Sequence, residues 1–269
     1  MNKKILTYVC HKIFNIRVMS KTTRLLIIAA LTLAFCVACA KEVVKPAYEN
    51  PKDSYAKAIQ LIEDKEYDAG RGLLVEITNR DTVTEYAPLA QLKIAESYMK
   101  TDEPEVALEE YRKFLKNYPD NKYSSYAKYQ VATLTFNTIE GPDRGYKAAY
   151  TAIKEFQGLN EQYPRNPYKE IVPLRIEKSR NVLAEHEFYV GEFYLKKDAF
   201  SAALRRFNVI ISKYPEYPDM GKLYYHMGLA YKGMGDSAKA REYIEKAKGS
   251  TNDTVLLKKI DKELSKLKS

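Results

Sequence analysis

From Asp53 onward, apolar residues recur with the three- and four-residue spacing of amphipathic helices, and no segment alternates apolar and polar residues as a half-buried strand does. Particular residue types also recur at successive intervals of 3, 9, 4 and 8 residues. One complete series is Ala95, Tyr98, Ala107, Tyr111 and Pro119. The same intervals recur in Gly191, Tyr194, Ala203, Phe207 and Pro215. A third series lacks only the final proline and consists of Gly228, Tyr231, Ala240 and Ile244. The second half of the pattern is repeated by Ala152, Phe156 and Pro164.

The residue types in this series indicate pairs of antiparallel helices. A small residue in each helix lets the two backbones approach closely, and we expect the first ring to fill the gap while the second packs toward the next pair. A proline after the second helix prevents that helix from continuing. The pattern resembles the tetratricopeptide repeat, a helix–turn–helix unit of about 34 residues.

We therefore predict an all-α fold, a tetratricopeptide-repeat α-solenoid over residues 53–269, with about five helical hairpins and a C-terminal helix. In the first hairpin the motif is degenerate, with Tyr67, Ala69 and Leu73 as its traces. An insert at residues 140–145 separates the helices of the third hairpin, and the first helix of the fourth is longer than the repeat requires. The predicted hairpins and closing helix span Tyr55–Asn79, Glu85–Pro119, Ser124–Pro164, Tyr168–Pro215, Asp219–Lys248 and Asp253–Leu267.

The N-terminal segment has the form of an export signal. Residues 25–38, LLIIAALTLAFCVA, are an apolar run behind a basic flank. A helix of that length falls short of the roughly 30 Å hydrocarbon core, so the run indicates a signal peptide and not a transmembrane span. We assign residues 1–38 to this signal, which makes best sense if translation starts at Met19.

Cys39 is the predicted site of lipid attachment. The cysteines are Cys10, Cys36 and Cys39, so the domain that follows has no thiol for a disulfide framework or a thiolate metal site. The CxxC spacing also fits a redox motif, but it lies within an apolar signal and not near a βαβ unit. The segment instead resembles the bacterial lipobox, in which a cysteine after a small residue is acylated. Residues 39–52 then form a lipidated tether, and Ala40 at the next position implies the periplasmic face of the outer membrane.

The net charge of +9 does not indicate nucleic-acid binding. Six of the cations precede the apolar run, in a stretch without Asp or Glu, and removing them leaves +3 on the remainder. A domain with so small an excess has a mixed, solvated surface and not one that follows phosphates.

The chain contains 23 tyrosines and no tryptophan. Half-polar rings suit both helix packing and exposed recognition surfaces. We assign Tyr98, Tyr111, Tyr194 and Tyr231 to packing positions of the repeat. Other tyrosines cluster at the starts of first helices, and the sequence does not decide whether they line a recognition surface; they include Tyr123, Tyr126, Tyr129, Tyr224 and Tyr225.

The sequence contains no recognisable catalytic or cofactor-binding constellation. There is no Walker A loop, no GxGxxG after a strand, no HExxH and no GxSxG. His186 and His226 are far apart and lack nearby cysteines, so we interpret them as helix residues and not as metal ligands. Gly233 and Gly235 lie where the last hairpin must turn. We expect no enzymatic activity, no cofactor and no metal.

Beyond the repeat, nearly the whole mature chain resembles the BamD family, the lipoproteins of the outer-membrane β-barrel assembly machinery. The most diagnostic stretch is residues 183–216, LAEHEFYVGEFYLKKDAFSAALRRFNVIISKYPE. The other matching features are YAKA at residues 55–58, the tyrosine-rich residues 114–136, and an insert before residues 149–168. The insert is shorter than in enterobacterial members, and the C-terminal helix varies within the family.

The resemblance implies a scaffold without catalysis. Members bind BamA through their C-terminal repeats, and their N-terminal repeats are thought to receive unfolded outer-membrane proteins; other lipoproteins of the complex are further expected partners. At the BamA contact the family has a basic residue before the ring of the fourth hairpin's second helix, and Arg206, which precedes Phe207, matches it. The alternative for Arg206 is an ordinary exposed arginine beside Arg205.

Two other functions remain open from the sequence. One is an outer-membrane repeat lipoprotein that scaffolds pilus secretin assembly or cell-wall enzymes, although the long fourth-repeat helix and the third-repeat insert disfavour it. The other is an enzyme that uses the repeats as a platform, which the missing polar clusters disfavour.

Overall fold

The computed structural model describes residues 47–80 and 85–267, and within these ranges the chain forms eleven α-helices and no strand. The predicted signal peptide and Cys39 lie outside the described residues. The all-α repeat fold is confirmed: ten helices form five hairpins and one follows them. In chain order they are α1 (Pro51–Glu63), α2 (Tyr67–Arg80), α3 (Tyr86–Lys100), α4 (Pro104–Asn117), α5 (Ser124–Asn137), α6 (Tyr146–Gln162), α7 (Ile171–Lys196), α8 (Phe200–Lys213), α9 (Met220–Gly233), α10 (Ser237–Gly249) and α11 (Thr254–Lys266).

Each helix packs on the next one along the chain, and first helices of adjacent hairpins also touch, α1 with α3 and α7 with α9. Stacking of this kind buries a series of local cores in place of one central core. Within the described part of the chain, no helix combines the length and apolar character needed to cross a membrane.

Four of the five hairpins share one turn. At the same point after the first helix, one residue adopts a positive φ, and the N–H of the following residue donates to the carbonyl five positions back, as from Glu103 to Tyr98 at 2.9 Å. This hydrogen bond satisfies a carbonyl that the helix end would leave unpaired. The residues with positive φ are Lys65, Asp102, Asp198 and Gly235. The turn predicted around Gly235 is therefore present, whereas the third hairpin has its insert there.

The small residues of the repeat let the two helices approach closely, as predicted, but the side chain that fills the gap comes from the second ring position and not from the first. A Cβ atom at Gly191 would overlap the ring of Phe207, and one at Gly228 would overlap the side chain of Ile244. The second ring thus packs against the small residue of its own hairpin. Phe207 also reaches the next hairpin, because it shares a core with Leu223 of α9.

The first hairpin is more regular than its sequence suggested. Ala58 and Leu74 are fully buried, and a Cβ atom at Gly70 would lie 2.8 Å from Ile62. These residues fill the small–small–apolar positions of the repeat, so the traces predicted at Ala69 and Leu73 were misplaced by one residue, and Tyr67 is not one of these positions. A leucine in place of the ring and a glycine in place of alanine concealed the match.

Helix α7 is 26 residues long and serves two hairpins. It packs on α6 and on α8. Tyr146, the first residue of α6, lies 4.8 Å from His186 between ring centroids, and His186 Nδ1 lies 2.6 Å from the Pro142 carbonyl of the insert. The turn between the two helices of the third hairpin therefore lies beside residue 186 of α7. Tyr189 and Phe193, one and two turns further along α7, are 54% and 55% exposed.

Candidate functional site

An open cavity of about 410 Å³ lies on the first helices of hairpins one to three. It is here called the N-terminal cavity. Its walls are largely apolar or aromatic, and α1, α3 and α5 each contribute to it together with the residue before α5. The lining residues are Tyr55, Leu89, Leu92, Lys93, Glu96, Tyr123 and Tyr126.

The charged groups in the lining neutralise one another. Lys93 Nζ lies 2.6 Å from Glu96 Oε2, and the Tyr126 hydroxyl donates to Glu96 Oε1 at 3.3 Å. Burial disfavours the charged ammonium of Lys93, but the hydrogen bond and the charge of Glu96 outweigh burial and raise its pKa. Burial also raises the pKa values of Tyr55 and Tyr126, so both phenols stay neutral. The lining carries no net charge at neutral pH and suits uncharged, apolar or aromatic groups.

The structure separates the tyrosines that the sequence left undecided. Tyr123 and Tyr126 line the N-terminal cavity. Tyr129 stacks on Tyr168 with 3.8 Å between ring centroids, and it packs on the core formed by the third hairpin and the start of α7. Tyr224 packs on the fourth and fifth hairpins, with its ring 6.2 Å from that of Tyr243.

The tyrosines assigned to packing positions are buried to different degrees. Tyr111 is 1% exposed. Tyr98, Tyr194 and Tyr231 are partly buried against the cores.

Sequence reasoning missed Tyr55, Leu89, Leu92, Lys93 and Glu96 as cavity residues. A signal was present, because Tyr55, Leu89 and Tyr123 are spaced 34 residues apart, as are Leu92 and Tyr126. Residues at one period of a repeat array occupy equivalent places in successive units.

Arg206 lies on α8, on a different part of the domain. Its Nη1 donates to Glu187 Oε2 of α7 at 3.1 Å. The Arg206 side chain is 43% exposed, whereas Glu187 is 11% exposed, so the carboxylate is enclosed and part of the guanidinium remains open to solvent. Arg205 is exposed.

A second cavity, of about 450 Å³, lies between the start of α9, the loop after α10 and the start of α11. Its lining is mixed: Lys222 and Lys259 face it together with Asp219 and Asp253, and Tyr225 forms part of its wall. Because two lysines and two aspartates line this cavity, it does not favour either an anionic or a cationic ligand.

The two histidines among the described residues lie in separate helix contacts. His226 is 16% exposed; its Nδ1 lies 2.8 Å from the Lys222 carbonyl, and its Nε2 lies 3.1 Å from Glu192 Oε1 on α7. Burial lowers the pKa of His226 despite these acceptors. Among residues 47–80 and 85–267, no three His, Cys, Asp or Glu side chains cluster as a metal site would require.

The stacked hairpins define the class of the protein, a tetratricopeptide-repeat protein. The sequence profile of the YfiO family, described as outer membrane lipoprotein, matches residues 48–246. The chain therefore belongs to this family.

Relatives with curated names agree with this assignment. The chain is similar to the outer membrane protein assembly factor BamD of Haemophilus influenzae, with 26% identity over 236 residues that cover 82% of this chain and 87% of the relative. BamD of Neisseria meningitidis is 26% identical over 191 residues, which cover 67% of this chain and 72% of the relative. The expected resemblance to the BamD family is confirmed.

Among solved structures, a tetratricopeptide-repeat protein of Thermus thermophilus overlays 81% of this chain and 98% of its own, with 14% identity and a TM-score of 0.33. The hairpins of the chain itself, and not this overlay, define the fold.

Proposed function

We propose that the chain is a non-enzymatic scaffold for outer-membrane protein assembly, anchored through acylated Cys39 at the periplasmic face of the outer membrane. In this proposal its N-terminal cavity receives unfolded outer-membrane proteins, and its C-terminal hairpins bind a BamA-type barrel protein, with other lipoproteins of the complex as further partners. The family match over residues 48–246 carries the proposal, because it spans both surfaces.

The chemistry of the N-terminal cavity supports the first part. An unfolded barrel protein presents apolar and aromatic side chains that alternate with polar ones. A neutral lining of tyrosines and leucines can bury the apolar and aromatic side chains without desolvating an unpaired charge. Three first helices contribute, so an extended chain could contact several hairpins at once.

The surroundings of Arg206 support the second part. Glu187 occupies one side of the guanidinium, and the other donors can reach a carboxylate on a partner. Arginine beside aromatic residues is typical of the contacts that dominate protein interfaces.

Affinity purification of the full-length protein in detergent tests the overall assignment. We expect a BamA-type barrel protein to co-purify. Recovery of only cell-wall enzymes or pilus secretin components would support the alternative of another repeat lipoprotein and reject this proposal.

Arg206→Gln tests the BamA contact. We expect weaker co-purification, since the positive charge and the fork of guanidinium donors are lost without placing a second carboxylate beside Glu187. Arg205→Gln is the matched control, because it removes the same charge from the neighbouring, exposed arginine. Equal recovery with both variants would reject the contact at Arg206.

Leu89→Glu tests the cavity. A carboxylate among neutral rings should lower the affinity for an unfolded outer-membrane peptide about tenfold, which corresponds to roughly 1.4 kcal/mol. Fluorescence anisotropy with a labelled peptide measures the change. Val75→Glu on α2, where the valine is exposed and outside the cavity lining, should bind as the parent does. A similar loss in both variants would point to charge repulsion in general and not to this cavity.

A further inference from the structure

The last residues of the predicted tether are fixed to the first hairpin. Tyr48 packs on the first core, and the Arg80 guanidinium at the end of α2 lies 4.7 Å above its ring. The Glu49 N–H donates to Ser54 Oγ at 3.0 Å, and Ser54 is 2% exposed. Asn50 then caps α1 by accepting from the Asp53 N–H at 3.0 Å. The chain is thus held in place three residues before its first helix begins.

This strap, defined by Tyr48 and Arg80, lies at the edge of the domain that carries the N-terminal cavity. Tyr55 lies just over one turn into α1, and its ring lies 5.8 Å from that of Tyr86 at the start of α3. Leu89 is in the first turn of α3, and Tyr123 directly precedes α5. The starts of α1, α3 and α5 therefore share one edge, here called the tethered edge, and the cavity opens beside it.

Chain length limits how far the tethered edge can lie from a lipid on Cys39. Tyr48 lies nine positions after Cys39, so the extended chain between them spans at most about 32 Å. From Tyr48 to Tyr55 the chain adds at most about 16 Å. The cavity wall is therefore within about 50 Å of the bilayer surface in any arrangement.

We propose that the tethered edge faces the bilayer, so that the N-terminal cavity takes apolar, unfolded chains at the membrane surface and not from the bulk periplasm. This orientation rests on the proposed acylation of Cys39 and on the proposed use of the N-terminal cavity for unfolded outer-membrane proteins. The strap sets the geometry, because it keeps the exit point of the tether at the cavity edge.

Energy transfer on vesicles tests the orientation. The acylated protein carries one donor dye, either through Lys122→Cys at the tethered edge or through Lys100→Cys at the far end of α3, and the vesicles contain lipid-linked acceptors. Both positions are exposed, and Cys39 is the only other cysteine of the mature chain. We expect stronger transfer from position 122, because α3 separates the two positions by about 20 Å. Equal transfer, or stronger transfer from position 100, would overturn the proposal.

A strap variant tests the cause of the orientation. Tyr48→Ala removes the ring and releases up to three more residues into the tether, so the difference in energy transfer between the two dye positions should shrink. Arg80→Gln leaves Tyr48 packed on the first hairpin, so this variant should reduce the difference less. Tyr150→Ala is the matched control, since Tyr150 is an exposed ring with Lys154 4.7 Å above it, on α6. An unchanged difference in Tyr48→Ala that retains its helical circular dichroism would reject the strap.

Failures of the underlying proposals would look different. Protein that does not float with vesicles would show that the lipid anchor is wrong. Normal flotation and orientation without peptide binding would show that the cavity does not serve client chains. The reverse dye order on vesicles that bind both protein and peptide would reject only the inference made from the strap.

Discussion

The two halves of the domain are joined by different kinds of contact. In hairpins one to three, rings link successive hairpins, with Tyr55 beside Tyr86, Tyr111 beside Tyr126 and Tyr129 stacked on Tyr168. From α7 onward, polar contacts between helices accompany the apolar packing. Arg206 forms an ion pair with Glu187, and Lys232 forms one with Glu263. His226 Nε2 lies 3.1 Å from Glu192 Oε1.

The difference fits the two proposed roles. Aromatic and apolar contacts depend little on direction, so a surface built from them accommodates chains of varied sequence. Ion pairs between partly buried groups need defined geometry, which suits a surface that binds one partner in one orientation. The division is not absolute, because Lys128 and Glu155 form a well-enclosed pair in the third hairpin.

The largest effect is expected where two helices of the C-terminal half approach closely. Gly191→Ala places a methyl group against the Phe207 ring and should lower the free energy of unfolding by about 1–3 kcal/mol. Gly72→Ala in α2 has no neighbouring atom within 4 Å and should raise it by about 0.5–1 kcal/mol. Urea denaturation of the soluble domain measures both. Stabilisation by both substitutions would mean that the close approach at Gly191 is not required.

A smaller effect is expected from His226 on mild acidification. The pKa of His226 is lower in the folded protein than the value of about 6.5 in the unfolded chain, so the unfolded chain binds the proton more readily. The folded protein therefore loses stability as the pH falls below that value. We expect the free energy of unfolding to fall between pH 7 and pH 5, by about 1.4 kcal/mol for each unit by which the pKa is lowered.

Variants on both sides of this contact sharpen the pH test. His226→Gln should remove the part of the pH dependence of unfolding free energy that this histidine causes. The slope is that of the free energy of unfolding against pH. Glu192→Gln should steepen it, because the carboxylate opposes the lowering of the histidine pKa. A slope unaffected by either substitution would assign the acid sensitivity to other groups.

The smallest effect concerns Glu263 on α11. Hydrogen bonds from Lys232 and Lys266 lower its pKa, so its stabilising contribution is present above the ordinary pKa of 4.5 and disappears as the pH falls through the lower folded value. Glu263→Gln should cost about 1 kcal/mol or less at pH 7. The effect of the substitution should shrink as the pH falls below 4.5, as thermal melts at a series of acidic pH values would reveal. A constant difference at all pH values would indicate a packing effect instead.

The repeat fold was predictable because its signal is local and periodic. Small residues, rings and terminal prolines mark each hairpin within a few residues of where the helices begin and end. The first hairpin shows the limit of such reasoning, since Ala58, Gly70 and Leu74 satisfy the same spacing with unfamiliar residue types. Their packing is evident only once the helices face one another.

The candidate surfaces were harder to predict. The N-terminal cavity draws on three helices, so its lining depends on how those helices stack. Only the pairing of Lys93 with Glu96, three positions apart on α3, follows a local spacing. Arg206 was found through family resemblance alone, and its pairing with Glu187, 19 positions earlier, depends on how α8 lies against α7. The role proposed for Arg206 stays a prediction.

Helix α7 has a mechanical consequence for the array. At 1.5 Å per residue its 26 residues form a continuous rod of about 39 Å that belongs to two neighbouring units. In most solenoids each unit can fray or bend separately from the next. Here the third and fourth hairpins cannot unfold independently unless α7 breaks. Amide hydrogens in both hairpins should therefore exchange together, and a distortion at one end of α7 should displace the other end.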